Sequence, residues 1–221
     1  MDFYIPATLE QDFDDMVDTF GVACILNYNA TTPTNITVTF SNKDTETVFS
    51  DIKDNARMLR FKLSDTIIKG DYLTDVNGVV HLVTQNPYKD INSYKTQSQM
   101  CPNVITFTRW EKEVLHNTTG DVISLAGYEN IAEDIYCFVS KSGVGTLDGG
   151  NDTIGLISKN KIVLGSQYNS ETSLIKVGDE FEFMSEQYKI QNIDTTQLPD
   201  GVTIGLILVY ADKLEGGSRV A

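Results

Sequence analysis

Ile68-Lys69-Gly70-Asp71-Tyr72-Leu73, followed by Asn77-Gly78 and then Val79-Val80-His81-Leu82-Val83, reads as a Gly-Asp turn that feeds a β-hairpin. Asn-Gly tolerates the positive φ angles that a two-residue type I′ turn demands, and the flanking residues are strand formers. The pattern recurs. Ile175-Lys176-Val177-Gly178-Asp179-Glu180-Phe181 is followed by Ser185-Glu186 and then Gln187-Tyr188-Lys189-Ile190, with a less favourable turn in place of Asn-Gly. One copy in each half predicts two β-domains. The polar, turn-forming His116-Asn117-Thr118-Thr119-Gly120-Asp121 is the expected link between them. It divides the chain into an N-terminal helix plus β-barrel domain over 1–112 and a C-terminal β-sandwich domain over 113–221.

Outward from these hairpins the period of two continues. Val22, Cys24 and Leu26, then Ile36, Val38 and Phe40, alternate with smaller or polar residues on either side of a turn-rich stretch. Further strands are expected at 57–63, 72–75, 79–84, 104–108, 134–140, 153–156, 161–164, 180–184, 188–194 and 202–211, most of them bounded by Gly, Asn, Asp or Pro. The fold class is therefore mainly β, two small barrels or sandwiches. One helix precedes them: Leu9, Phe13, Met16, Val17 and Phe20 fall on one face, with Glu10, Asp12, Asp14, Asp15 and Asp18 opposite. The helix is expected over about 9–20, with Gly21 as a left-handed stop.

Composition narrows the function classes. Among 221 residues, 41% hydrophobic and 22% charged, 17 Lys and Arg face 31 Asp and Glu, a formal charge of -14. That is a globular chain, and one that would repel phosphate backbones across a broad surface. No apolar run reaches the ~18 residues of a membrane helix, and Met1–Pro6 has no signal-peptide pattern. Cys24, Cys101 and Cys137 are few, odd in number and far apart, which fits reduced buried thiols. The four Asn-x-Thr triplets, at Asn29, Asn35, Asn117 and Asn151, read as turn and strand composition.

Chemistry-bearing motifs are weak. The only histidines, His81 and His116, sit in a strand and in the link, and no nucleophile elbow, phosphate loop, dinucleotide fingerprint or zinc-ligand spacing occurs. The acidic run at Asp12-Phe13-Asp14-Asp15 lacks the glycine turn and distal Glu of a calcium loop, so it reads as a solvated helix face. Gly143-Val144-Gly145 with Asp148-Gly149-Gly150-Asn151-Asp152 is a single unrepeated glycine-rich stretch, more simply a turn than a calcium site. Neither an enzyme nor a cofactor or metal is expected.

Three segments carry a resemblance. They are Ile67-Ile68-Lys69-Gly70-Asp71-Tyr72-Leu73-Thr74 running into Val79-Val80-His81-Leu82-Val83-Thr84; Ser98-Gln99-Met100-Cys101-Pro102-Asn103-Val104-Ile105-Thr106-Phe107-Thr108-Arg109-Trp110; and Lys176-Val177-Gly178-Asp179-Glu180-Phe181 with Gln187-Tyr188-Lys189-Ile190 and Gly205-Leu206-Ile207-Leu208-Val209. Together they are similar to the small β-rich head-closure proteins, stoppers or head-to-tail connectors, of tailed bacteriophages, particularly those infecting low-GC Gram-positive bacteria. Pro102-Asn103 after Cys101 departs from the family's pattern.

The resemblance implies a virion component made in the host cytoplasm: a homo-oligomeric ring with a portal or adaptor protein above and tail-terminator or tail proteins below. DNA would pass through such a ring without being specifically bound, and a carboxylate-lined channel suits that passage. In that setting Phe13, Met16, Val17 and Phe20 are the expected interface, docking on a β-surface of the same subunit or a neighbour. Asp51, Asp54, Asp148 and Asp152, in the two most polar loops, are the expected channel-facing acids. Two other readings remain: a tail or baseplate β-module that binds a host-surface carbohydrate, and a hydrolase with a cryptic carboxylate pair.

Overall fold

A computed structural model describes residues 7–27, 32–42, 55–112, 114–115, 122–140, 161–196, 198 and 204–214. The helix is α1 (Ala7–Phe20), and Gly21 ends it by donating its N–H to the Val17 carbonyl at 2.8 Å. Gly21 is needed there for room rather than for a left-handed turn: a Cβ would lie 2.3 Å from the Val17 oxygen and 2.6 Å from Thr37 Cγ2. Strands β1 (Val22–Leu26), β2 (Thr34–Asn42), β3 (Ala56–Phe61), β4 (Tyr72–Asp75), β5 (Val80–Val83), β6 (Tyr88–Lys89) and β7 (Tyr94–Met100) form one sheet, which closes on itself through β3 and β7. Strands β8 (Asn103–Glu111), β11 (Gly127–Ser140), β12 (Lys161–Tyr168), β13 (Glu180–Phe183), β14 (Glu186–Asp194) and β15 (Gly205–Lys213) close a second barrel. The short β9 (Val114–Leu115) and β10 (Val122–Ser124) pair with each other.

The expected mainly-β fold of two small units with one N-terminal helix is what the chain adopts; both units are closed barrels, so the second is a barrel and not the expected sandwich. The strand β8, assigned above to the first unit, pairs with β11 and β13 and belongs to the second barrel. The passage between barrels therefore falls at Cys101-Pro102. His116–Asp121, expected to link domains, falls between the paired strands β9 and β10 and lies outside the described residues. The expected strand 153–156, the Gly143–Asp152 stretch and the tail 215–221 also lie outside them.

The barrels share one strand order, β1-β2-β3-β7-β5-β4 in the first and β8-β11-β12-β15-β14-β13 in the second. The registers carry the equivalence right round. Leu26 opposite Leu73 matches Phe107 opposite Phe181, Leu59 opposite Phe40 matches Leu164 opposite Val139, and Val83 opposite Ser98 matches Ile190 opposite Ala211. The Gly-Asp turns are the same object twice. Gly70 and Gly178 have φ of 95° and 98°. Their N–H groups donate to Val83 and Ile190 at 2.8 and 2.9 Å, and the Asp71 and Asp179 carboxylates each accept the N–H three residues back, from Ile68 and Lys176, at 2.7 Å.

Each barrel has its own interior. Cys24, Ile36, Val38, Leu59, Phe61 and Leu73 fill the first, and Ile105, Phe107, Leu164, Phe181, Ile190 and Val209 are among those filling the second. A third apolar cluster lies between the barrels: Tyr72, Val80, Leu82 and Cys101 of the first meet Phe138, Val163, Leu206 and Leu208 of the second. This seam explains why β12 and β15 are buried on both faces, with Ile162 and Leu164 turned into the barrel and Val163 into the seam. On the second barrel's flank the Phe138 ring lies over Gly165, where a Cβ would meet it at 2.0 Å.

Candidate functional site

Two surfaces can carry function: the seam, which fixes the barrels, and the helix-bearing face of the first barrel. The seam is built around the Gly70-Asp71 turn. A Cβ on Gly70 would meet the Gly205 backbone at 2.1–2.3 Å, so main chain touches main chain there. Around that contact Gln167 Nε2 donates to the Gly70 carbonyl at 2.9 Å and to Asn27 Oδ1 at 2.8 Å. Asn27 in turn donates to Asp71 Oδ1 at 2.8 Å and accepts from the Tyr72 N–H at 2.9 Å. The Tyr72 hydroxyl donates to the Tyr136 carbonyl at 2.5 Å, accepts the Gln167 N–H at 3.1 Å and lies 2.8 Å from Ser166 Oγ. Gln167 and the Tyr72 hydroxyl carry hydrogen bonds across the seam while Asn27 and Asp71 are held within the first barrel, which makes the relative placement of the barrels specific as well as favourable.

The two turn aspartates differ in their partners. Asp179 is held in a bidentate grip by Arg109, with Nε to Oδ1 at 2.7 Å and Nη2 to Oδ2 at 2.9 Å. Asp71 is paired with a neutral amide, and burial pushes its carboxyl above the usual range against the lowering effect of the Asn27 and Ile68 hydrogen bonds. The Tyr72 phenol and the Cys101 thiol are raised well above their ordinary values, chiefly by burial. Cys24, Cys101 and Cys137 are free and buried, and burial is the main cause of the rise to about 12 for the Cys24 and Cys137 thiols. None of these groups is placed to act as a nucleophile.

The helix-bearing face lies on the first barrel. Of the four apolar residues expected at an interface, Phe13 and Val17 are buried, while Met16 is partly and Phe20 largely exposed, at 39% and 79%. The helix packs on β2. Asp18 accepts a hydrogen bond from Lys62 Nζ at 2.6 Å, and the Leu9 carbonyl accepts from Asn92 Nδ2 at 3.2 Å. Beside the helix an open cleft of about 320 Å³ is lined by Asp18, Ile25, Asn35, Lys62, Asp75 and Val76, among others. Burial raises the Asp65 carboxyl at its rim. Among the described residues no set of three or more His, Cys, Asp or Glu side chains could hold a metal ion. Asp51, Asp54, Asp148 and Asp152 lie outside the described residues.

Sequence reading found the turn aspartates but not their partners. Asn27 and Gln167 are isolated polar residues 140 positions apart, and nothing local distinguishes them from surface amides. His81 is likewise internal, 5% exposed, its ring tilted 35° against Phe40 at 4.6 Å with Nδ1 unpartnered among the described residues, and burial lowers it from 6.5 to about 4.

Residues 102–212 match the family model described as the YomX C-terminal domain, a phage-associated family. The match covers half the chain and coincides with the second barrel, so the chain belongs to that family. No curated protein and no solved structure matches it. No helix among the described residues is long and apolar enough to cross a membrane.

Proposed function

From its membership in a phage-associated family, we propose that this protein is a non-enzymatic structural component of the virion: a head-closure ring that joins the portal, or an adaptor below it, to the tail and lines the path of the DNA. The observation that carries the reading is the seam. Two barrels locked by an apolar cluster and a satisfied polar network make a rigid body suited to transmitting load, as a joint between head and tail must. The charge of -14 supports it, because an acidic wall lets DNA slide without adsorbing. DNA is then cargo, and no cofactor takes part.

A second reading, a tail or baseplate module that binds carbohydrate, draws on Trp110 and Tyr128, whose rings meet edge to face at 5.1 Å on the second barrel with Trp110 half exposed. Negative-stain images of the purified protein separate the two. Closed rings support the head-closure reading, and compact trimers that bind glycans support the other.

A further inference from the structure

The duplicated barrel presents the same turn twice and uses it once. In the first barrel the Gly70 turn is driven against the second barrel, backbone on backbone with Gly205. In the second barrel the equivalent Gly178 turn faces open space, with nothing within 4 Å of where a Cβ would stand. The residues around it are apolar and uncovered: Val177 is 60% and Leu174 53% exposed. A turn of this shape has, elsewhere in the same molecule, a known way of docking.

The receiving face also exists twice. In the seam the first barrel's turn region rests on Tyr136, Gln167 and Gly205. Following the strand registers, these correspond on the first barrel to Thr37, Lys62 and Asn92. All three are positions that α1 touches: Gly21 at its end closes on Thr37, Asp18 binds Lys62, and the Leu9 carbonyl binds Asn92. The helix thus lies on the first barrel where the first barrel lies on the second. Among the described side chains it buries Phe13 and Val17 in doing so and leaves Leu9, Met16 and Phe20 exposed along the same apolar stripe. Its outer residues Asp12, Asp15 and Asp18 are exposed acids, while the free turn carries the exposed base Lys176.

We propose that the Gly178 turn of the second barrel, with Leu174, Lys176 and Val177, docks on α1 of a second copy of this chain, so that the helix covering the first barrel's receiving face takes this turn between molecules as the bare face of the second barrel takes the Gly70 turn within one. The contact is heterologous, turn to helix, so it propagates in one direction and closes into a ring where the rotation allows. Leu174 and Val177 cover Phe20 and Met16, and Lys176 meets the acidic side of the helix. The inference deepens the assembly reading above and rests on it.

The test uses two single variants of the full chain, Phe20→Cys and Val177→Cys, mixed and mildly oxidised. Both positions are exposed and the three native cysteines are buried, so melting curves like the parent's are expected and the new thiols are the reactive ones. The mixture should form a disulfide-linked F20C–V177C pair that neither variant forms alone, and Val177→Asp should weaken self-association of the parent by at least about tenfold. Rings that persist in V177D, or oligomers in which only like variants cross-link, would overturn the turn-to-helix contact while leaving the ring reading intact. A parent that stays monomeric at every concentration, with no cross-link in the mixture, would overturn both.

Discussion

Raising or lowering the pH between 7 and 4 titrates one group that the fold has set apart. His81 projects into the first barrel from β5, 5% exposed and packed against the Phe40 ring. Burial, aided by Arg57 and opposed by Asp75, lowers its folded-state value to about 4 from an unfolded value of 6.5. The folded state therefore favours the neutral imidazole, and the unfolded chain binds the extra proton first as the solution is acidified. The stability that neutral His81 secures is fully present above about pH 6.5, declines as pH falls through the window, and is lost once the folded protein also protonates near pH 4. A difference of about 2.5 units, at 1.36 kcal/mol per unit, amounts to about 3 kcal/mol over that window, with a mid-window slope near 1.4 kcal/mol per pH unit. The assay is urea denaturation at half-unit steps from pH 7 to pH 4 for the parent and for His81→Leu, which fills the site without titrating. Carboxylates common to both proteins cancel in the difference. The parent should lose about 3 kcal/mol more than the variant across the window. Parallel curves for the two proteins would refute the placement of a neutral imidazole inside this barrel.

Other consequences follow from the duplicated turn and the helix. Gly70→Ala and Gly178→Ala impose the same positive φ on an alanine, yet the second should cost only about 1–2 kcal/mol, while the first, which also drives a methyl into Gly205, should cost about 3 kcal/mol or more in thermal or denaturant unfolding. Phe13→Asp places an unpaired charge under α1 and should destabilise by about 3 kcal/mol; a variant that melts like the parent would mean the helix contributes nothing to the fold. The β13–β14 turn holds Met184 and Ser185 at φ of 51° and 62°, so replacing them with Asn and Gly should raise stability by about 1 kcal/mol, seen as a higher melting temperature.

The sequence made the turns legible because their requirements are local. Gly-Asp before an apolar pair and Asn-Gly between strands each impose a backbone geometry that few other residues meet. The helix was legible for the same reason, its apolar stripe being complete within three turns. Strand β7, Tyr94-Lys95-Thr96-Gln97-Ser98-Gln99-Met100, was not expected, yet it closes the first barrel between β3 and β5. Its inward residues Thr96 and Ser98 are polar, so no hydrophobic alternation marks it. The first half of β11 was missed similarly, since Glu129, Asn130, Glu133 and Asp134 are exposed and the pairing with β8 shifts register twice there. The boundary between units was misplaced because the polar His116–Asp121 stretch has the composition of a linker, whereas the actual passage at Cys101-Pro102 is short and partly buried. The seam was half visible: Gly205-Leu206-Ile207-Leu208-Val209 is a continuous apolar run, the mark of a strand covered on both faces, but what covered its outer face depended on a turn far earlier in the chain.

The central claim, that this protein closes the head of a virion, is tested most directly by locating it in the particle. Gold-labelled antibody against the purified protein, imaged on intact virions and on heads detached from their tails, should mark the single vertex where the tail joins. Label at the distal tip of the tail, or none on any particle, would contradict it.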